Sequence, residues 1–276
     1  MGTKGTFILG MGAQKSGTSW LYRYFTTLDG FEGGLFKEYH VLDAIFAPGM
    51  DGRYKNTMKA AAKVLSDHKE SNKEGRRDLH RAMLTIEPDS YFDHFERMLQ
   101  FPGKSLTADL TPSYSALPLR ALRRVIREFH DRDISVKPVY LMRDPVERAW
   151  SALRMARRDR TLRKADFRNI GIRDPYARSD EELLELLPDM PGYLARANYR
   201  KVVEKLDLVF PSEDITYAFY EDLFTEPCIR HIAGKIGFDY VTPDFGEVAN
   251  ASPKKRALSR STVKYLRKRY AGVYDY

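Results

Sequence analysis

The sequence predicts an α/β fold: a single domain over residues 1–276 with a central, mainly parallel β-sheet flanked by helices. Three observations carry this. Short runs rich in β-branched and aromatic residues alternate with segments of helical periodicity, as in strand–helix–strand units. The first apolar run passes through a glycine-rich turn directly into a helix. A chain of 276 residues, 43% of them hydrophobic, buries one large core and is short for two independent domains.

The elements follow in order. Thr6-Phe7-Ile8-Leu9-Gly10 is the first strand, and Trp20-Leu21-Tyr22-Arg23-Tyr24-Phe25 is the helix after the turn. Residues 51–81 are strongly charged and read as an exposed helical excursion with a mobile KESNKEGRR stretch. Ser105–Leu110 is a second short strand, Leu119–His130 a basic helix and Val136–Met142 a third strand. Pro145 suits the first turn of the helix that follows. Residues 155–190 mix Arg, Asp and Pro with little periodicity and read as a loop or lid. Tyr193–Val209 reads as a helix, Ile215–Tyr220 as a fourth strand and Pro227–Ile236 as a further helix.

Composition narrows the ligand. A formal charge of +8 and a pI near 9.3 favour acidic partners. The basic residues are not interleaved with aromatics and form no recognition-helix pattern, so nucleic acid is not expected. Cys228, the only cysteine, reads as a small core residue on a helix. It permits no intrachain disulfide and no cysteine-rich metal site, which fits a reducing, cytoplasmic location. No metal is expected. No run reaches membrane-span length. The opening MGTKGTFILGMG lacks a signal-peptide cleavage site, and its match to a myristoylation pattern is set aside because the first strand begins at once.

The turn between strand and helix reads Gly12-Ala13-Gln14-Lys15-Ser16-Gly17-Thr18-Ser19. Such a turn exposes backbone N–H groups at a helix N-terminus and holds phosphate. In a nucleoside triphosphatase the lysine follows the second glycine; here Thr18 stands there and Lys15 sits inside the loop. Lys15 therefore leans over the turn toward a group on one phosphate, not down a triphosphate tail. A degenerate phosphate loop of a small-molecule kinase, or of another nucleotide-binding protein, stays open as the alternative. The loop resembles the 5′-phosphosulfate loop of the sulfotransferases that use 3′-phosphoadenosine 5′-phosphosulfate (PAPS). The resemblance implies a P-loop-like sulfotransferase fold, donor contacts from Gln14, Lys15, Ser16, Gly17, Thr18 and Ser19, and a Lys15 that stabilises the bridging oxygen.

A second motif, Val139-Tyr140-Leu141-Met142-Arg143-Asp144-Pro145 continuing to Ser151, can bring a guanidinium and a hydroxyl to one oxyanion. It resembles the family's 3′-phosphate motif, which implies that Arg143 and Ser151 hold that phosphate. RDP as a mere helix cap through Asp144 is the plainer reading. Asn250-Ala251-Ser252-Pro253-Lys254-Lys255-Arg256 resembles the family's basic loop over PAPS, implying donor contacts from Lys255 and Arg256. Tyr217-Ala218-Phe219-Tyr220-Glu221-Asp222-Leu223 resembles a structural segment of the same family.

Sulfuryl transfer needs a group to take the acceptor's proton and cations beside the bridging oxygen. Lys37-Glu38-Tyr39-His40-Val41-Leu42-Asp43 resembles the K-E-x-H-x-x-D stretch of the heparan sulfate glucosaminyl sulfotransferases. That implies Glu38 as the base, Lys37 near the sulfuryl group, and His40 and Asp43 in support, with His40 as the rival base. Ala108-Asp109-Leu110-Thr111-Pro112-Ser113-Tyr114 resembles the family's E-x-T-P-x-Y segment, with Asp109 in place of glutamate; Asp109 and Tyr114 are expected as acceptor ligands. The match spans residues 9–256 and looks like a soluble, bacterial-type catalytic domain of the glycan branch. The acceptor, a small molecule or a glycan, is expected between segments 51–104 and 155–195, as acceptor-site or lid insertions. Neither its identity nor the oligomeric state is legible.

Overall fold

The computed structural model describes residues 4–47, 49, 51–162, 167–190, 193, 195–247 and 257–275. Five strands, β1 (Gly5–Gly10), β2 (Phe31–Glu32), β3 (Leu106–Asp109), β4 (Ile134–Met142) and β5 (Thr216–Phe219), form one sheet in the order β2-β3-β1-β4-β5. Every pairing is parallel, with Leu9 opposite both Asp109 and Pro138. Parallel strands buried on both faces read as continuous apolar runs, and Phe7, Ile8 and Leu9 are completely buried.

Side chains alternate across the sheet, so β1 feeds two cores. Phe7 and Leu9 pack with Phe92, Phe95 and Phe129, carried by α5 (Pro88–Leu99) and α6 (Leu119–His130). The Phe7 and Phe129 rings stack with centroids 4.3 Å apart. On the other face Ile8 meets Trp20, Leu21 and Phe25 of α1 (Thr18–Phe25) and the apolar side of helix Glu226–Ile236. A third cluster joins α7 (Pro145–Arg158) to helices Asp180–Leu186 and Arg260–Arg269.

Between β1 and α5 the chain forms α2 (Leu42–Phe46), α3 (Asp51–Ser66) and α4 (Lys73–Ile86). The KESNKEGRR stretch makes the turn into α4 and supplies its first residues, and Asn72 caps that helix by accepting from the Gly75 N–H at 2.6 Å. The loop expected over 155–190 is partly helical. The helix α7 runs to Arg158, and a capping box, Ser179 with Glu182, starts helix Asp180–Leu186, whose Leu183 and Leu184 are fully buried. The helix expected over Tyr193–Val209 is a 3-10 turn, Ala195–Ala197, followed by helix Tyr199–Asp207, capped by Asn198. Cys228 lies half-buried on helix Glu226–Ile236. No helix among the described residues is long and apolar enough to cross a membrane.

The strand order reverses at β1: later strands add first on its β3 side and then on its β4 side. Open α/β sheets bind ligands at such a switch, beyond the strands' carboxyl ends. The turn after β1 and the start of α7 after β4 both lie there.

Candidate active site

The turn is fastened to the neighbouring strand, as the Ala13 N–H donates to the Leu141 carbonyl at 2.6 Å and the Leu141 N–H to the Gly12 carbonyl at 2.8 Å. Gly17 has φ +92°, and a Cβ there would lie 2.4 Å from Leu223, so conformation and space both demand glycine. Thr18 and Ser19 follow as the first helical positions, with no side-chain cap; their N–H groups have no intrahelical acceptor, an arrangement that suits an anion. Gln14, Lys15, Gly17, Thr18 and Ser19 line the cleft above the sheet. Ser16 is completely buried; its N–H donates to the Ala13 carbonyl at 3.2 Å and its hydroxyl has no hydrogen-bond partner among the described residues.

The Lys15 ammonium donates to the Met155 sulfur at 3.7 Å. Burial, then the charges of Arg158, Arg143 and Arg154, push its pKa below the usual lysine value. Arg143 leaves the end of β4, donates to the Lys15 carbonyl at 3.0 Å and lies over the Tyr220 ring at 4.0 Å. Asp144 caps α7 by accepting from the Val146 and Glu147 N–H groups, both at 2.9 Å. The capping role of RDP is thus real and falls to Asp144, which leaves the Arg143 guanidinium for the cleft. Ser151, two turns into α7, lines the same wall.

Across the cleft the segment 37–43 is set by its backbone. The Tyr39 N–H donates to Asp109 Oδ1 at 3.2 Å, the His40 N–H to Thr111 Oγ1 at 3.3 Å and the Leu42 N–H to the Tyr114 hydroxyl at 3.4 Å. Lys37 Nζ reaches Thr18 Oγ1 (3.2 Å), Ser19 Oγ (3.0 Å) and Glu38 Oε1 (2.5 Å). His40 lies between two carboxylates, Nε2 to Glu38 Oε2 at 3.2 Å and Nδ1 to Asp43 Oδ2 at 3.0 Å. Arg53 Nε and Ser113 Oγ also meet Asp43 Oδ2, at 3.1 and 2.5 Å. Burial alone would raise the Glu38 carboxyl, but bonds and charge from His40 and Lys37 outweigh it and hold the group at about 2. Burial likewise opposes charge on His40, and its bonds to Asp43 and Glu38 overcome that and raise its pKa. Lys37, Glu38 and His40 line the cleft, while Asp43 is completely buried behind His40.

Asp109 and Tyr114, expected as acceptor ligands, are completely buried and form no part of the cleft wall. Asp109 accepts from Tyr91 (2.9 Å), Tyr114 (2.5 Å) and Thr111 (2.5 Å) besides Tyr39 N–H. With no exposed atom to offer an acceptor, they lie beneath the segment carrying Glu38 and His40. Lys255 and Arg256 lie outside the described residues.

The cleft has a volume of about 1480 Å³ and takes in the turn after β1, Arg143 with Ser151, and the Glu38–His40 pair. The sequence matches no protein-family model and no curated protein. Among solved structures, a sulfotransferase from Alicyclobacillus acidocaldarius aligns over 98% of this chain and 92% of its own, with a TM-score of 0.60 and 19% identity. The chain has the sulfotransferase fold. The sulfotransferase domain of the Synechococcus PCC 7002 olefin synthase aligns over 99% of this chain and 94% of its own, with a TM-score of 0.44 and 15% identity. A retinol dehydratase in complex with retinol and PAP aligns over 89% of this chain and 63% of its own, with a TM-score of 0.37 and 17% identity.

On this sulfotransferase fold the cleft also has walls that sequence reasoning missed. Trp20, Tyr220, Phe224 and Phe245 line one end, with Trp20 edge-on to Phe224 at 5.0 Å and stacked on Phe245 at 6.2 Å. Arg154 and Arg158 extend the face of α7 that begins at Ser151, their three- and seven-residue spacing a signal present in the sequence. Arg53, Arg196, Lys201 and Lys205 line the cleft beside the apolar stretch Leu117, Pro118 and Leu119.

Proposed function

We propose that the protein is a PAPS-dependent sulfotransferase that moves a sulfuryl group from the donor to a hydroxyl or amine of a small-molecule or glycan acceptor. The observation that carries this is the convergence of the Lys15 turn, the Arg143–Ser151 pair and the Glu38–His40 pair on one cleft. Its volume exceeds the roughly 300–1,000 Å³ of an ordinary single-ligand site, which suits a donor and an acceptor together. The residues fit the donor: open N–H groups of Thr18 and Ser19 for the 5′ end, Arg143 and Ser151 for the 3′-phosphate, and aromatic rings for a base.

In the proposed in-line step the acceptor oxygen or nitrogen bonds to sulfur as the bridging S–O bond breaks, and the bond's electrons leave with the nucleotide 3′,5′-bisphosphate. Lys15 and Lys37 stabilise the charge gathering on the bridging oxygen. Glu38 takes the acceptor's proton. A carboxylate held near 2 is a weak base at rest, yet the proton it receives becomes strongly acidic as the new bond to sulfur forms. His40 is less suited to the role, because its bonds to two carboxylates raise its pKa and favour the protonated form, which cannot accept a proton. The likeness of Lys37–Asp43 to the glycan branch points the same way. Arg53 from segment 51–104, and Met155 and Arg158 from segment 155–195, support the reading of these segments as the frame of the acceptor. The single cysteine fits a cytoplasmic enzyme.

The test is incubation with sulfur-labelled PAPS and a panel of glycans, phenols, alcohols and amines, with label in an acceptor as the expected result. Label remaining in the donor throughout would count against the reading. R143A is expected to weaken binding of adenosine 3′,5′-bisphosphate at least about tenfold, the scale of one lost charge-assisted bond. An unaltered dissociation constant would remove Arg143 from the site.

A further inference from the structure

We infer that Arg154 is a further ligand of the donor's 3′-phosphate, beside Arg143 and Ser151, and makes the cleft select a nucleotide phosphorylated at the 3′ position. The inference rests on the reading of the donor as PAPS and adds a residue that the motif resemblance does not supply. Arg154 lies three residues after Ser151 on α7, so the two side chains are neighbours on the helix surface, and both line the cleft.

The state of its guanidinium is the second observation. Nε and Nη1 of Arg154 are shielded from solvent, with no hydrogen-bond partner among the described residues. The group is held in place by the Trp150 ring, 4.3 Å from its carbon, and Trp150 is itself buried. A planar cation fixed on an aromatic face loses little freedom when it binds. Burial, and then the charge of Arg143 against the favourable Glu147 and Asp180, lower its pKa. Those carboxylates serve other cations as well: Asp180 lies 2.6 Å from Arg157 Nε and Glu147 lies 3.6 Å from Arg143.

Lys15, Arg143 and Arg154 therefore stand within electrostatic reach of one another. Such crowding of positive charge with unmade N–H bonds is unfavourable until an anion with several acceptor oxygens enters. The donor's 5′ end is provided for by the N–H groups at the start of α1. Its dianionic 3′-phosphate presents three oxygens, matching the hydroxyl of Ser151 and the two guanidinium groups.

The experiment is equilibrium binding by calorimetry of adenosine 3′,5′-bisphosphate and of adenosine 5′-monophosphate to wild type, R154Q and R154K. Ionic strength is held constant and folding is checked by circular dichroism. Neither measurement needs the acceptor. Wild type is expected to prefer the bisphosphate. R154Q should weaken the bisphosphate about tenfold and leave the monophosphate within about twofold. R154K should fall between, because it keeps a charge but loses the fork. If wild type discriminates and R154Q discriminates equally, or weakens both ligands alike, Arg154 is not the 3′-phosphate ligand. If wild type binds the two nucleotides with equal affinity, or binds neither, the reading of the donor falls and takes this inference with it.

Discussion

An imidazole that bonds a carboxylate through each ring nitrogen, as His40 does with Glu38 at 3.2 Å and Asp43 at 3.0 Å, holds its proton beyond its ordinary range. That favours Glu38 over His40 in the proposed role of proton acceptor. E38Q is expected to reduce label transfer by about a hundredfold or more while bisphosphate affinity stays within about twofold; turnover that survives intact would move the base to His40. The same pair links stability to pH. The folded His40 has the raised pKa, so its contribution is complete below the unfolded imidazole value, about 6.5, and is lost as pH rises through the folded value. Glu38 and Asp43 are lowered, and their contribution is present above their unfolded values and lost as pH falls through their folded values, about 2 for Glu38. Wild type should therefore exceed H40Q in urea-unfolding stability by more at pH near 5.5 than at pH near 9. An equal difference at both would show that the ion pairs contribute nothing.

At the scale of elements, the segment 37–43 has no regular structure before Leu42, and its shape is imposed by the end of β3. Asp109 holds the Tyr39 N–H directly, and its partners Thr111 and Tyr114 hold those of His40 and Leu42. Burial pushes its carboxyl up to about 6 despite four hydrogen-bond donors. D109A would strand several buried donors, each worth about 1–3 kcal/mol. It should lower stability by about 3 kcal/mol or more and speed hydrogen exchange at the amides of residues 39, 40 and 42, read by NMR or mass spectrometry. Exchange unchanged at those amides would remove Asp109 from the latch. The likeness to E-x-T-P-x-Y located this segment but not its depth, because a motif carries no burial. Elements with strong local signals were legible: Leu119–His130 stands with the boundaries expected, and β1, β3, β4 and β5 lie within two residues of theirs. The strand β2 has two residues and no periodicity to read. Its pairing, Phe31 opposite Leu106, is a tertiary fact. α5 was readable, since Pro88 at its start and apolar residues at 91, 92, 95, 98 and 99 form a helical stripe. The helix at Asp180–Leu186 is too short for periodicity to outweigh its charge and is announced only by its capping box. In the site, the residues named from glycine spacing and from a strand end, such as Lys15 and Arg143, line the cleft. The walls contributed by distant segments, such as Phe245 against Trp20, were not.

For the whole molecule, the question is which polyanion the positive cleft was built to receive. The net charge of +8 draws in any nucleotide and cannot choose among them. The choice lies in where cations stand relative to the helix N-terminus. A triphosphate bound with magnesium calls for a lysine immediately after the second glycine, and Thr18 occupies that position. Lys15 instead leans against Met155 on α7, toward Arg143, Arg154 and Arg158. The cations thus gather where the turn meets α7, away from the position that a triphosphate tail calls for. A ligand at a hundred times its dissociation constant stabilises the fold by about 2.7 kcal/mol, which for a chain of this size raises Tm by about 5 °C. Adenosine 3′,5′-bisphosphate is expected to give a shift of that size in scanning calorimetry, and ATP with magnesium at the same concentration less than half of it. The opposite order would mean that a triphosphate finds partners for its β- and γ-phosphates without the standard lysine, and a phosphoryl-transfer reading would then replace the sulfuryl one.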